Sequence, residues 1–255
     1  MDLGDAQISL RDRSLVERAG EFLTQYILSG EVAPGDYLPP EHVLCEKLGI
    51  ARTTLRETLG ILESKGLVER RHGVGVRVID QSQQAASEML QLMLKRQQPS
   101  SRDLVEMRRV YETQGAAWAA ERATPEDLAA IQSALAEMRS AHDTVERYAQ
   151  ADLDFHMAVT RAAHNTVLRL IVETIRLLLL DTIIISLKAS FRPEETLQYH
   201  ERVFEAIQTR NPSEASQAMS ELLVDTEAMI CGTGQSAREE ARREDMPSKA
   251  LAGAQ

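Results

Sequence analysis

Asp152 and His156 stand four residues apart in ADLDFHMAV, and His200 follows in YHERVFEAI. On a helix, that spacing puts the carboxylate and the first imidazole on one face. A second imidazole brought up from a later helix would complete a set of nitrogen and oxygen donors suited to a divalent transition metal inside a bundle. The set also has a plainer reading, because a helical histidine is more often a surface or hydrogen-bonded residue. No nucleophile or general base is grouped with the three, so an enzyme is not expected, and a metal-dependent hydrolase is the less favoured alternative. Arg108, four residues before Glu112, could grip a ligand carboxylate bidentately. It is equally placed to form an intrahelical ion pair with Glu112.

A second chemistry lies in GIARTTLRETLGILESKGLVERRHGVG, from Gly49 to Gly75. Six lysines or arginines (Arg52, Arg56, Lys65, Arg70, Arg71, Arg77) face three glutamates between Arg52 and Arg77, inside a chain of net charge −10. Arg52 and Arg56 share a helix face. An arginine can pair bidentately with guanine, a contact that discriminates by about 1–3 kcal/mol. Thr53 and Thr54 can bond phosphates or touch a thymine methyl. Leu55, Leu59 and Leu62 form the opposite, core-facing stripe. Gly73 and Gly75 let backbone approach a groove or phosphate closely, with Arg71 and His72 beside them.

The elements that position these residues follow from caps and periodicity. Ser14-Leu-Val-Glu17 is a capping-box pattern before apolar positions at helical spacing. Glu41 to Leu48 reads as a short helix stopped by Gly49, and Arg52 to Lys65 as a second helix stopped by Gly66. LVERR and VGVRVI alternate as two strands joined at His72-Gly73. Three helices and a two-stranded wing make a winged helix-turn-helix. Beyond it the pattern is helical: Ser101 to Arg122, with Leu104, Met107, Arg108, Tyr111, Glu112 and Gly115 on one face; then Thr124 to Ser140, with proline at the first helical position. Further helices are expected over 145–163, 166–187, 193–210 and 212–230. The fold class is therefore mainly α, a winged helix-turn-helix followed by an all-helical antiparallel bundle. The divisions are a flexible N-terminus at 1–13, a DNA-binding domain at 14–80 and a linker helix at 81–98. A helical domain follows at 99–231, with a disordered tail at 232–255.

At 255 residues the chain can bury two cores. Its two cysteines, Cys45 and Cys231, lie in no metal-ligand spacing and read as thiols in a reducing compartment. The N-terminus has no apolar core of a signal peptide. The run IVETIRLLLLDTIIISL is interrupted by Glu173, Arg176 and Asp181, so it reads as a buried bundle helix rather than a membrane span of about 20 apolar residues. These points predict a cytoplasmic protein without membrane contact. Overall acidity excludes nonspecific coating of nucleic acid but not a local basic face.

The segment ILSGEVAPGDYLPPEHVLCEKLGIARTTLRETLGILESKGLVERRHGVGVRV resembles the DNA-binding domain of GntR-family bacterial transcription regulators. It shares their G-x-x-x-P-G-x-x-L-P-x-E, R-T-T-x-R-E and G-x-G features. The resemblance implies DNA contacts from Arg52, Thr53, Thr54 and Arg56, with His72 and Gly73 at the wing tip. His42 stands where the family often has Arg, and Ala51 where it usually has Ser or Thr. Ala51 offers no side-chain cap, a loss of about 1 kcal/mol. D-x-x-F-H, A-x-x-N and H-x-x-V-x-x-A-I, with EMRRVYETQGAAWAAERATPEDL before them, resemble the FCD effector domain of the FadR-like branch. Many such domains hold a metal with one Asp and three His, and the metal helps hold a small carboxylate. Asp152, His156 and His200 match three of those positions. Leu222 replaces the fourth, so the site has three ligands, or a neighbour such as Glu221 or Asp225 substitutes, or the metal is lost. The resemblance implies a homodimer on double-stranded operator DNA that responds to a small organic acid and acts as a repressor. Zinc, nickel and manganese are the candidate ions. A regulator that senses the ion itself is the alternative.

Overall fold

The structure, a computed structural model, describes residues 14–141 and 143–244, with side chains described as far as Ile230. The expected flexible segment 1–13, residues 245–255 of the expected tail, and His142 lie outside the described residues. The chain divides into two compact units, one ending at Leu92 and the other beginning at Met93.

In the first unit, α1 (Leu15–Leu28) opens on a complete capping box between Ser14 and Glu17. Helix α2 (Glu41–Leu48) stops at Gly49, whose φ of 64° is left-handed. Helix α3 (Arg52–Ser64) follows after three residues, Gly49 to Ala51. Strands β1 (Val68–Arg71) and β2 (Gly75–Val78) pair antiparallel, Val68 opposite Val78 and Arg71 opposite Gly75. The core gathers Ala19, Leu23 and Ile27 of α1 with Leu44 and Leu48 of α2. Leu55, Leu59 and Leu62 of α3 and Val68, Val76 and Val78 of the wing complete it. Burying each leucine contributes about 1.5–3 kcal/mol, enough to hold α3 by one stripe and leave its other face free. Within that stripe the Thr58 hydroxyl donates to the Thr54 carbonyl at 2.9 Å and also approaches that of Val16, linking α3 to α1. Gly66 has φ +70°, and a Cβ there would run into the Gln81 and Ser82 backbone. Only glycine fits where the chain turns from α3 into the wing.

Helix α4 (Ser82–Gln97) has no buried residue. In the second unit, α5 (Ser101–Arg122) is capped by Ser100, one residue earlier than expected, in a capping box with Asp103. Its buried face carries Val105, Arg108, Glu112, Gly115, Ala116 and Ala119, whereas Met107, expected on it, is exposed. Helix α6 (Pro125–Ser140) starts at the Thr124 cap and α7 (Val145–Ala162) at the Thr144 cap. The expected helix from 166 to 187 is two: α8 (Thr166–Thr174) and α9 (Arg176–Ala189), broken at Ile175, where φ is −96° and ψ 7°. No proline or glycine marks that break in the sequence. The same run is only half-buried: Val172, Leu179, Ile183 and Leu187 face inward while Ile171, Leu177 and Ile185 are exposed. This corrects the expectation of a helix enclosed in the bundle. Helices α10 (Pro193–Gln208) and α11 (Pro212–Glu244) complete the unit. Helix α11 continues past Ile230, so the expected irregular tail is helical backbone as far as Glu244.

Helix α5 packs along α11, α6 and α9 pack on α7, and α10 packs on α11. Helix α7 is buried around most of its circumference, from Tyr148 to Ala162. A helix enclosed on all sides takes its polar residues inside with it.

Candidate functional site

Two places collect chemistry. In the first unit, a groove of about 990 Å³ runs between α3 and the wing, lined by Tyr37, Glu41, Arg56, Arg71, His72 and Gly73 among others. Of the residues expected to meet DNA, Arg56, Arg71, His72 and Gly73 line it. Arg52 and Thr53 are exposed at the start of α3, Thr54 is half-buried, and His42 is exposed on α2 outside the groove lining. Gly73 has φ +74°, so the wing turn uses glycine's conformational freedom. Ala51 takes extended N-cap dihedrals, φ −69° and ψ 154°, with no side-chain bond to the helix start. The first N–H groups of α3 are left to solvent or a phosphate.

The arginines of this face differ in which donors are engaged. Arg70 commits Nε and Nη2 to Glu63 Oε2 at 2.9 and 2.6 Å. These bonds and one from the Arg70 backbone hold the Glu63 carboxyl below its usual range. Arg71 bonds Glu69 through Nε at 3.0 Å. Among the described residues Arg56 engages only Nε, with Glu41 Oε2 at 3.2 Å. Sequence reading missed Glu41 here, because nothing in a separation of 15 residues announces the pair.

The second place is inside the other unit. Arg108 and Glu112 of α5, Asp152 and His156 of α7 and His200 of α10 are all buried, Arg108 at 1% and His200 at 0% exposure. Arg108 Nε donates to Glu112 Oε1 at 2.6 Å, and Arg108 Nη2 lies 3.1 Å from His156 Nε2. The other Glu112 oxygen lies against His156 Nδ1 at 2.5 Å. Asp152 Oδ1 is 3.2 Å from His156 Nε2, and Oδ2 is 3.6 Å from His200 Nε2. His200 Nδ1 donates to the Thr196 carbonyl at 2.8 Å, and its Nε2 faces Asp152. The Phe155 ring stands nearly perpendicular to both imidazoles, in T-shaped contacts.

Charge follows geometry. Burial pushes the Glu112 carboxyl up, but Arg108 and then His156 outweigh it and hold it at about 2. Burial also opposes ionisation of Asp152, yet its contacts with His200 and His156 bring it well below the ordinary carboxylate range. Burial lowers the His156 imidazolium and Arg108 opposes it; the Glu112 carboxylate and the Asp152 bond win, and its pKa is raised. The Tyr111 phenol is pushed up first by burial and then by the Glu112 charge.

The donor set fits a divalent ion. One oxygen of Asp152 and one nitrogen each of His156 and His200 lie within 4.8 Å of one another. Asp152 Oδ1 and His200 Nε2 are buried with no hydrogen-bond partner. Acceptors stand at Nδ1 of both imidazoles, the arrangement that orients metal-binding histidines. Leu222 is buried and carries no donor. Neither neighbour considered as its substitute is free: Asp225 bonds Arg192 at 3.1 Å and Glu221 pairs with Arg202 at 2.6 Å. Arg108 forms the intrahelical pair, and the unexpected element is that Glu112 reaches on to His156. The R-x-x-x-E spacing showed the pair; only the packing of α5 on α7 brings in the imidazole.

A winged helix-turn-helix with a basic groove, joined to a helical domain enclosing a cluster of ionisable groups, defines a DNA-binding transcription regulator. Residues 15–78 match the family described as bacterial regulatory proteins, gntR family, and residues 103–225 match the FCD domain. The HTH-type transcriptional regulator LutR of Bacillus subtilis is 32% identical over 81% of this chain and 96% of its own length. The galactonate operon transcriptional repressor of Escherichia coli is 32% identical, over 77% and 88%. The Glc operon transcriptional activator of that species is 29% identical, over 81% and 85%. In fold, the chain is similar to a solved Streptococcus agalactiae GntR structure at a TM-score of 0.70 and 23% identity, covering 82% of this chain and 97% of that one. The chain belongs to the GntR family of bacterial transcription regulators, with an FCD effector-binding domain. No described helix is long and apolar enough to cross a membrane.

Proposed function

We propose that this regulator is a cytoplasmic homodimeric repressor whose hold on its operator is set by a small carboxylate metabolite bound at the buried cluster. In this reading residues 14–80 bind DNA, 81–98 link, and 99–231 bind effector and dimerise. Arg52, Thr53, Thr54 and Arg56 meet the major groove, with Arg71, His72 and Gly73 of the wing and His42 beside it. One recognition helix reads few base pairs, so a two-fold operator supplies the missing specificity. The exposed apolar side chains Val167, Leu170 and Ile171 of α8 and Leu177 and Ile185 of α9 support burial of that face against a second copy.

The observation that carries the effector reading is the cluster itself. Arg108, Glu112, Asp152, His156 and His200 are buried together, with polar atoms left unsatisfied inside a largely apolar bundle. Unsatisfied buried polar atoms are costly, so their retention points to a ligand. Asp152, His156 and His200 would hold zinc, nickel or manganese, and such an ion would supply a Lewis-acidic point for a ligand oxygen. Arg108 would offer the ligand carboxylate its guanidinium in competition with Glu112. The effector shifts the population between forms of different operator affinity.

The test uses a duplex selected by the full chain from a random-sequence pool and anisotropy titrations on it. Zinc, nickel and manganese are added alone and beside a panel of small mono- and dicarboxylates, with metal analysis of the protein as purified. A carboxylate that changes operator affinity by about 5-fold or more supports the reading. If a metal alone produces the change and no acid adds to it, the chain senses the ion instead.

A further inference from the structure

Glu41 is an acid on a face meant for phosphates. A carboxylate there repels DNA, and an exposed ion pair adds little stability, about 0–1 kcal/mol. Its placement therefore calls for another explanation. Glu41 is the first residue of α2, following Pro39 and Pro40, so its backbone is held by the start of that helix. A negative side chain is favoured at that end. From there its Oε2 takes the Nε–H of Arg56 across 3.2 Å, and both residues line the groove between α3 and the wing.

The donor that Glu41 occupies matters. Guanine is read by two parallel N–H groups on its O6 and N7. With Nε tied to Glu41, Arg56 keeps Nη1 and Nη2, neither of which has a hydrogen-bond partner among the described residues. Arg70, by contrast, has Nε and Nη2 closed on Glu63. An untethered arginine samples many rotamers and loses that freedom on binding; one held at Nε has part of it removed beforehand.

We propose that Glu41 is a positioning residue that holds the Arg56 guanidinium with its terminal edge turned to a guanine, setting specificity at one base pair. The proposal rests on Arg56 being a base reader. It is tested on the full chain with the pool-selected duplex, replacing each guanine in turn and titrating by anisotropy, beside a duplex of unrelated sequence. For the parent, one replacement costs about 10-fold or more, and Arg56→Ala removes that penalty. Glu41→Ala is expected to bring the same penalty to within about 2-fold, with the other positions and the unrelated duplex bound no more weakly than before. Glu41→Gln, which keeps an oxygen acceptor for Nε, retains most of it. Should Glu41→Ala prove unfolded by circular dichroism, Glu41→Asp, one methylene too short, takes its place with the same readings. If Arg56→Ala removes the penalty and Glu41→Ala keeps it, the positioning role alone is wrong. A uniform loss on every duplex with Glu41→Ala overturns it equally. If Arg56→Ala leaves every penalty intact, the reader assignment fails and the positioning role falls with it.

Discussion

Glu112 joins two helices through one carboxylate: Oε1 takes Arg108 Nε one turn back on α5, and Oε2 lies 2.5 Å from His156 Nδ1 on α7. An ion pair that could have remained internal to one helix becomes the link between the arginine and the imidazole next to Asp152.

Removing Glu112 alone leaves the Arg108 guanidinium buried and unpaired. Glu112→Ala is expected to lose about 3–5 kcal/mol of stability in urea unfolding. Arg108→Met with Glu112→Leu is expected to lose much less, since both charges leave together. Equal losses for the single and double variants would show that the pair is not what costs.

Zinc binding, followed by calorimetry, is expected to vanish in Asp152→Ala, His156→Ala and His200→Ala and to survive in Asp225→Asn, whose carboxylate already bonds Arg192. Glu112→Gln weakens the orientation of His156 without removing a ligand, so zinc affinity falls by about 10–100-fold.

Ala51→Ser supplies an oxygen at an N-cap whose dihedrals already suit one. Stability is expected to rise by about 0.5–1 kcal/mol, read as a higher midpoint in denaturant. No gain would mean that solvent already satisfies the first turn of α3.

Gly66→Ala should be among the most damaging single-methyl additions in the first unit, at φ +70° with backbone in its path. A loss of more than about 1 kcal/mol is expected. A variant as stable as the parent would place the αL requirement elsewhere.

Asp127 gives a pH test outside the buried cluster. Burial raises its pKa, but the Thr124 backbone N–H, His164 and the Thr124 hydroxyl together bring it below the ordinary value. A lowered folded-state pKa means stability that is present above the unfolded value of about 3.9 and lost as pH falls through the folded one. The advantage of the parent over Asp127→Asn is therefore expected to be full near neutrality and to shrink as pH falls below about 4. An advantage constant across that range would assign it to packing.

Much of the architecture was legible because it is written locally. Ser14 with Glu17, Thr124 with Asp127, and Gly49 and Gly66 after their helices each satisfy a backbone need within a few residues. The alternation around His72-Gly73 did the same for the wing. Asp152 and His156 could be paired from spacing alone, while His200 was a candidate from a later helix that only packing could bring beside them. The break at Ile175 was not legible, because neither proline nor glycine stands there and β-branched residues are common inside helices.

The sequence by itself determined the winged helix-turn-helix, the helical second unit and the residue types available to each site, since caps, glycines and apolar periodicity act over one or two turns. Only the tertiary structure decided which charges meet. Glu41 faces Arg56 because α2 packs beside α3, and Glu112 faces His156 because α5 packs on α7. Such pairs are set by how the elements pack, across 15 and 44 residues of chain, and no local pattern encodes them.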